Sequence, residues 1–170
     1  MNLQTLISIS PYDWASIITA LFCGAIVGLE RQIRGKPVGI RTSSLITLGT
    51  YVFLHSAMLL NNEVTDPSRV IGQVITGIGF LGAGVMLAKD GAVVGVTSAA
   101  TIWVLAAIGV SISMGHLLVA IKLSIVTVTI LYGVDLLETH TKTFSRGVHT
   151  KYVKHRNAER KWARKSHDHS

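Results

Sequence analysis

Only one cysteine, Cys23, occurs in the chain, so neither an intrachain disulfide nor a cysteine metal site can form. Charge is scarce as well. Asp, Glu, Lys and Arg make up 15% of the residues, against about 25% in a soluble globular domain, too few to cover a water-facing surface. There is no H-E-x-x-H motif, no helix with paired carboxylates and no nucleophile beside a base, which argues against an enzyme. These shortages exclude a disulfide scaffold, a collagen and a disordered chain. What the 170 residues do supply is apolar mass: 49% are hydrophobic and the mean hydropathy is +0.47. The net charge of +7 is unevenly placed. Residues 1–137 carry seven Lys/Arg against six Asp/Glu, whereas 138–170 carry nine against three. The expected domains are therefore an almost neutral apolar body, 1–137, and a basic tail, 138–170.

A bilayer core takes about 20 apolar residues in a helix. Four stretches come near that length: Trp14–Leu29, Ser43–Leu60, Val70–Ala88 and Leu117–Leu137. A fifth, Val93–Ile112, is apolar but holds Gly95, Thr97, Ser98, Thr101, Gly109 and Ser111, residues that suit a helix enclosed by other helices. The fold expected is an all-α polytopic transmembrane bundle of about five spans with a basic cytoplasmic tail. No Lys or Arg precedes the first stretch and no small-x-small cleavage pattern follows it, so that stretch reads as a retained anchor. The first interspan loop holds Arg31, Arg34, Lys36 and Arg41, and the tail is basic. With an odd number of spans both fall on one side, which the positive-inside rule makes cytoplasmic. The N-terminus is then outside, with Tyr12 and Trp14 at the outer interface.

Gly77-Ile78-Gly79-Phe80-Leu81-Gly82 matches G-x-G-x-x-G. That pattern signals a dinucleotide only between a strand and a helix start, and here it lies inside an apolar run, so no cofactor is expected. Helical spacing accounts for it better. Gly72, Thr76, Gly79 and Ala83 line one face, Gln73, Gly77 and Gly84 a second, and small residues let helices approach closely. Gly95, Ser98, Ala99, Ala106 and Gly109 form a similar face in the fourth span. With a short turn around Lys89-Asp90-Gly91, the third and fourth spans are expected to be the packed centre, and Trp103 a core residue. Gly82 belongs to the same packing set.

Polar groups at membrane depth are costly and are paired or functional. Glu30, Arg31, Arg41, Lys89, Asp90 and Asp135 fall at the cytoplasmic level, where ion pairs fixing helix ends compete with a cation or proton site built on Glu30 and Asp135. Asp13, His55, Asp66, Arg69, Gln73 and Lys122 fall at the opposite level. Asp66-Pro67 suits a helix start, and Lys122 is placed to snorkel. The tail mixes Lys/Arg with Phe144, Val148, Tyr152 and Trp162. Attraction to anionic lipid headgroups is its expected role, ahead of a protein partner, with no nucleic acid. His167-Asp168-His169 reads as a polar chain end rather than a metal site.

Gly28-Leu29-Glu30-Arg31, Gly39-Ile40-Arg41-Thr42, Asp66-Pro67-Ser68-Arg69, Gln73, Gly77 to Gly84 and Gly95 to Gly109 follow one another in an order that resembles the MgtC/SapB family membrane domain, over about residues 14–135. The resemblance implies a bacterial inner-membrane protein linked to magnesium limitation, acid tolerance and, in some members, survival in host cells. The family name suggests magnesium transport, but the resemblance implies regulation of other membrane proteins. Longer members add a soluble ACT-like domain, which is expected to be lacking here. The family's polar motif falls on Glu30, Arg31, Arg41, Thr42, Asp66, Arg69 and Gln73.

Two functions are weighed. The first is a regulator that binds its own copy or another membrane protein through small-residue helix faces. The second is a transporter of magnesium or protons. Magnesium prefers an octahedron of oxygens and keeps several waters. The acids lie at two membrane levels, with none at the midplane, so no resident metal is expected and the regulator is favoured.

Overall fold

The computed structural model describes residues 8–60, 66–89 and 92–140. Contacts divide the chain at Leu131 into two units. The first holds four helices, the start of a fifth and a hairpin; the second is described only in the last turns of that fifth helix. The basic tail from residue 141 onward, including Phe144, Val148, Tyr152, Trp162 and the terminal His167-Asp168-His169, lies outside the described residues.

Helix α1, Trp14–Ile33, starts where Asp13 accepts a hydrogen bond from the Ser16 amide at 2.8 Å, which satisfies one of the otherwise unpaired amides of a first turn. It ends at a left-handed Gly35, with Arg31 and Arg34 near the negative end of the helix dipole. Helix α2, Ile40–Leu59, follows a turn in which Gln32 Oε1 accepts from the Ile40 amide at 3.3 Å. Helix α3, Pro67–Gly84, has Asp66 as its cap and proline in its first turn, the arrangement expected from the sequence. Helix α4, Val96–Ser113, begins at left-handed Gly95 and is followed by left-handed Gly115. Helix α5 is Leu117–His140.

Between α3 and α4 the expected spans are shortened. Leu87–Lys89 (β1) and Ala92–Val94 (β2) pair antiparallel, with Leu87 opposite Val94 and Lys89 opposite Ala92. Val70–Ala88 therefore gives way to a helix that stops at Gly84, and Val93–Ile112 to one that starts at Val96. The cause is local: Asp90-Gly91 is a strong hairpin-turn dipeptide, and β-branched Val93 and Val94 beside it suit a strand.

The packed centre is α4, not α3 with α4. Ser98, Thr101, Ile102, Leu105, Ala106, Ile108, Gly109, Ile112 and Ser113 are all buried on it, whereas α3 buries only Ile78 and Gly82 among its described side chains. One core cluster joins Ala20 and Cys23 of α1, Tyr51 of α2, Ile108 and Ile112 of α4 and Ala120 of α5. Another joins Val27, Val38, Ile78, Ile102, Leu105 and Ala106. Trp103 points outward with 52% of its surface exposed, correcting its expected core position.

Elsewhere the exterior is apolar: Ile18, Phe22, Phe53, Phe80, Leu118, Ile125 and Ile130 are all exposed. Hydrocarbon is the solvent such a surface suits. Among the described residues three helices, Trp14–Ile33, Val96–Ser113 and Leu117–Val134, are long and apolar enough to cross a membrane.

Candidate functional site

Where α1 ends and α4 begins, three charged side chains meet a hydroxyl. Glu30 and Arg31 are buried, at 8% and 4% exposure. Arg31 Nη2 donates to Ser98 Oγ at 2.8 Å across 67 residues of chain, which ties α1 to the first turn of α4. Arg34, one turn beyond Glu30, brings its Nε to 2.9 Å from Glu30 Oε1, and Arg31 Nη1 stands 3.8 Å from Oε2. Yet neither Glu30 oxygen, nor Arg31 Nε, has a hydrogen-bond partner among the described residues, so the approach of Arg34 is an ion pair without an aligned N–H. Buried charges are normally both paired and hydrogen-bonded; here Arg31 is hydrogen-bonded through Nη2, while the Glu30 carboxylate is ion-paired only. Close by in the chain, buried Val38 takes a left-handed φ of 69°, a strained backbone for a β-branched residue. Its carbonyl accepts from Ser43 Oγ at 3.0 Å.

The second feature is a groove of about 680 Å³ between α2 and α3. Leu45, Ile46 and Phe53 line it from α2, and Val74, Ile78 and Leu81 from α3, with Gly49 and Gly77 opening its floor. Its polar lining includes Arg41, Thr42 and Gln73, three of the residues singled out from the sequence. Arg41 and Thr42 are exposed in the first turn of α2, and among the described residues Arg41 has no ion-pair partner.

The remaining expected residues are dispersed. Asp66 caps α3, accepting from the Ser68 hydroxyl at 2.7 Å and the Ser68 amide at 2.9 Å. Those bonds, the hydroxyl's first, hold its pKa below the ordinary aspartate value. Arg69 is exposed beside it. The Asp135 side chain lies outside the described residues, as do Asp90 and the Lys89 side chain, and with Asp135 goes the expected Glu30–Asp135 ion site. Among the described residues no group of three or more His, Cys, Asp and Glu is placed to hold a metal ion.

The packing residues separate into three kinds. Gly109 brings α4 against α2, where an added Cβ would lie 2.7 Å from the Thr47 carbonyl oxygen, and Gly82 faces Ala99 in ordinary contact. Ala106 is in the core and Ser98 holds Arg31. Gly95 is required by its left-handed φ of 92° and by the Val85 carbonyl against its face, a backbone reason rather than helix packing. By contrast Gly72, Gly77, Gly79 and Gly84 meet nothing within 4 Å, and Thr76 and Ala83 are exposed with them; among the described residues they pack against no helix.

The closest helix approach was missed from sequence. A Cβ at Gly24 would lie 2.5 Å from Ser44 Cα, and one at Gly28 2.5 Å from Ile40 Cα. Gly24-Ala25-Ile26-Val27-Gly28 is a G-x-x-x-G pattern, the known signal for such a crossing. Buried Ala120, Ser124 and Thr127 give α5 a small-residue face of the same kind. At the opposite end of α1, Tyr12, Tyr51 and His55 cluster with ring centroids 5.4–6.2 Å apart, and Tyr12 Oη lies 2.7 Å from Ser56 Oγ. The Ser16 amide, the first cause, holds the pKa of Asp13 there below its ordinary value.

The MgtC family profile matches residues 17–140, a stretch that takes in the buried charge cluster, the groove and all five helices but for the first three residues of α1. The chain belongs to the MgtC family. A relative from Escherichia coli (strain K12), YhiD, whose name offers magnesium transport as a conjecture, is 43% identical over 122 residues, 68% of this chain and 56% of its own length. A Haemophilus influenzae protein is 38% identical over 152 residues, 84% of this chain and 61% of that one. Protein MgtC of Salmonella typhimurium (strain LT2) is 38% identical over 111 residues, 65% of this chain and 47% of its own length. The chain thus spans about half to three-fifths of the curated relatives it matches. No solved structure matches this MgtC-family chain.

Proposed function

We propose that this MgtC-family protein is a non-enzymatic regulator in magnesium homeostasis and stress adaptation. It sits in the bacterial inner membrane as about five spans, N-terminus outside and tail cytoplasmic, and acts by helix contacts with its own copy or a membrane partner. One observation carries this reading. The small residues of α1 and α4 are used inside the bundle, at Gly24, Gly28 and Gly109, while the stripe Gly72, Thr76, Gly79 and Ala83 of α3 faces open space. Small residues on a span gain nothing from lipid and much from a closely packed helix. The test is crosslinking of the full chain in native membranes. Gly72→Leu and Gly79→Leu are expected to lose the crosslinked species several-fold while the chain still inserts. Unchanged complexes in both variants would remove the regulator reading.

A second reading, magnesium or proton transport, is favoured by the buried Glu30 carboxylate, ion-paired but with neither oxygen hydrogen-bonded among the described residues, since intramembrane acids mark ion paths. Flux into proteoliposomes at varied magnesium and pH decides it: transport requires flux above empty vesicles that Glu30→Gln abolishes.

A further inference from the structure

The α2–α3 groove has a chemistry distinct from the small-residue stripe. On a helix with about 3.6 residues per turn, Val70, Gln73, Val74, Gly77 and Leu81 share the groove face of α3, whereas Gly72, Thr76, Gly79 and Ala83 lie on another side. The groove volume of about 680 Å³ falls within the range of about 300–1,000 Å³ typical of small-molecule sites. Its walls are apolar along most of their length, and one end carries a guanidinium with no ion-pair partner among the described residues.

We propose that this groove holds one acyl chain of a bilayer phospholipid whose anionic headgroup rests on Arg41 and Thr42. Length supports it. From Arg41 to Phe53, α2 rises about 18 Å at about 1.5 Å per residue, close to half of a hydrocarbon core about 30 Å thick. A chain of one leaflet, entering at the level of Arg41, runs to about the bilayer middle before the groove ends. Charge supports it too. Arg41 is exposed and without an ion-pair partner among the described residues, and a phosphate supplies oxygens in the fork geometry a guanidinium matches. An apolar helix docked in the same place would leave that cation without an acceptor. Basic pockets between spans are a recognised way of holding anionic headgroups. Gly49 and Gly77 leave the groove floor open: a Cβ at either meets nothing within 4 Å.

Native mass spectrometry of the full chain in detergent, titrated with phosphatidylglycerol or phosphatidylcholine, tests the proposal. A discrete phosphatidylglycerol adduct is expected, with phosphatidylcholine binding weaker. Arg41→Gln should weaken the phosphatidylglycerol adduct about fivefold, the effect of one basic residue near an anionic surface, and Arg41→Lys should restore most of it. Gly77→Leu, at a position where a Cβ meets nothing within 4 Å, narrows the groove and should abolish the adduct, with helical circular dichroism unchanged. Gly79→Leu, on the stripe, should leave it intact, so lipid binding and the proposed assembly fail independently. Equal retention of both lipids, or adducts indifferent to Arg41→Gln and Gly77→Leu, would overturn the proposal. So would a second copy of the chain that Gly77→Leu displaces while lipid binding is absent.

Discussion

Arg31 holds two helices with one side chain: its Nη2 reaches Ser98 on α4, while its backbone and neighbour Glu30 belong to the last turns of α1. Removing one partner from a buried ion pair leaves the other charge uncompensated, at a cost of about 3–5 kcal/mol. Glu30→Ala, which takes away the one carboxylate paired with buried Arg31 among the described residues, is therefore expected to lower stability by about that amount. Ser98→Ala, which leaves one guanidinium N–H unmet, should cost about 1–3 kcal/mol. Thermal unfolding of both variants in detergent micelles measures the order; equal and negligible effects would show that water serves this cluster as well as Ser98 does. Glu30 and Arg31 were legible as polar residues of interest because charge is rare in the apolar body. Their partner was not legible. Ser98 was read as a packing residue, since a serine in a span serves packing and hydrogen bonding equally well and only its position opposite Arg31 separates the two.

Helix α1 and helix α2 approach so closely that glycine is obligatory at two places on α1, and this belongs to the element rather than to any one contact. Gly28→Ala is expected to push α2 away and cost about 1–3 kcal/mol, as overpacking does elsewhere. Gly79→Ala meets open space and should be neutral, or stabilise by up to about 1 kcal/mol through backbone entropy. Comparing unfolding midpoints of the two variants checks this contrast, and a larger loss at Gly79 than at Gly28 would contradict the packing described. All five helices were legible as apolar runs, and the α3 start was legible from Asp66-Pro67. Two things were not. The hairpin was absorbed into the flanking spans because Val93 and Val94 are as apolar as any helix residue. The choice of packing face was also misread, since α1 and α3 both show glycines at helical spacing, and sequence periodicity says that a face exists without saying which one meets a neighbour inside the chain.

For the whole molecule, the apolar exterior makes a bilayer the solvent, and the proposed orientation follows from where Lys and Arg fall. Reporter fusions after Lys36 and after Ser170 are expected to report the same, cytoplasmic compartment. Reporters in different compartments would require an even number of spans between those points to become odd, and would overturn the five-span arrangement. The proposed regulator and lipid sites both lie on α3, which buries only Ile78 and Gly82 among its described side chains, and on its border with α2.

The native Cys23, enclosed by α1, α2, α4 and α5 with none of its surface exposed, has a practical consequence for spectroscopy. Thiol reagents should pass the folded molecule by, so a fluorophore or spin label attached at an introduced surface cysteine will report from that position alone. When the native sulfhydryl does begin to react, its rate becomes a clock for how often the bundle comes apart.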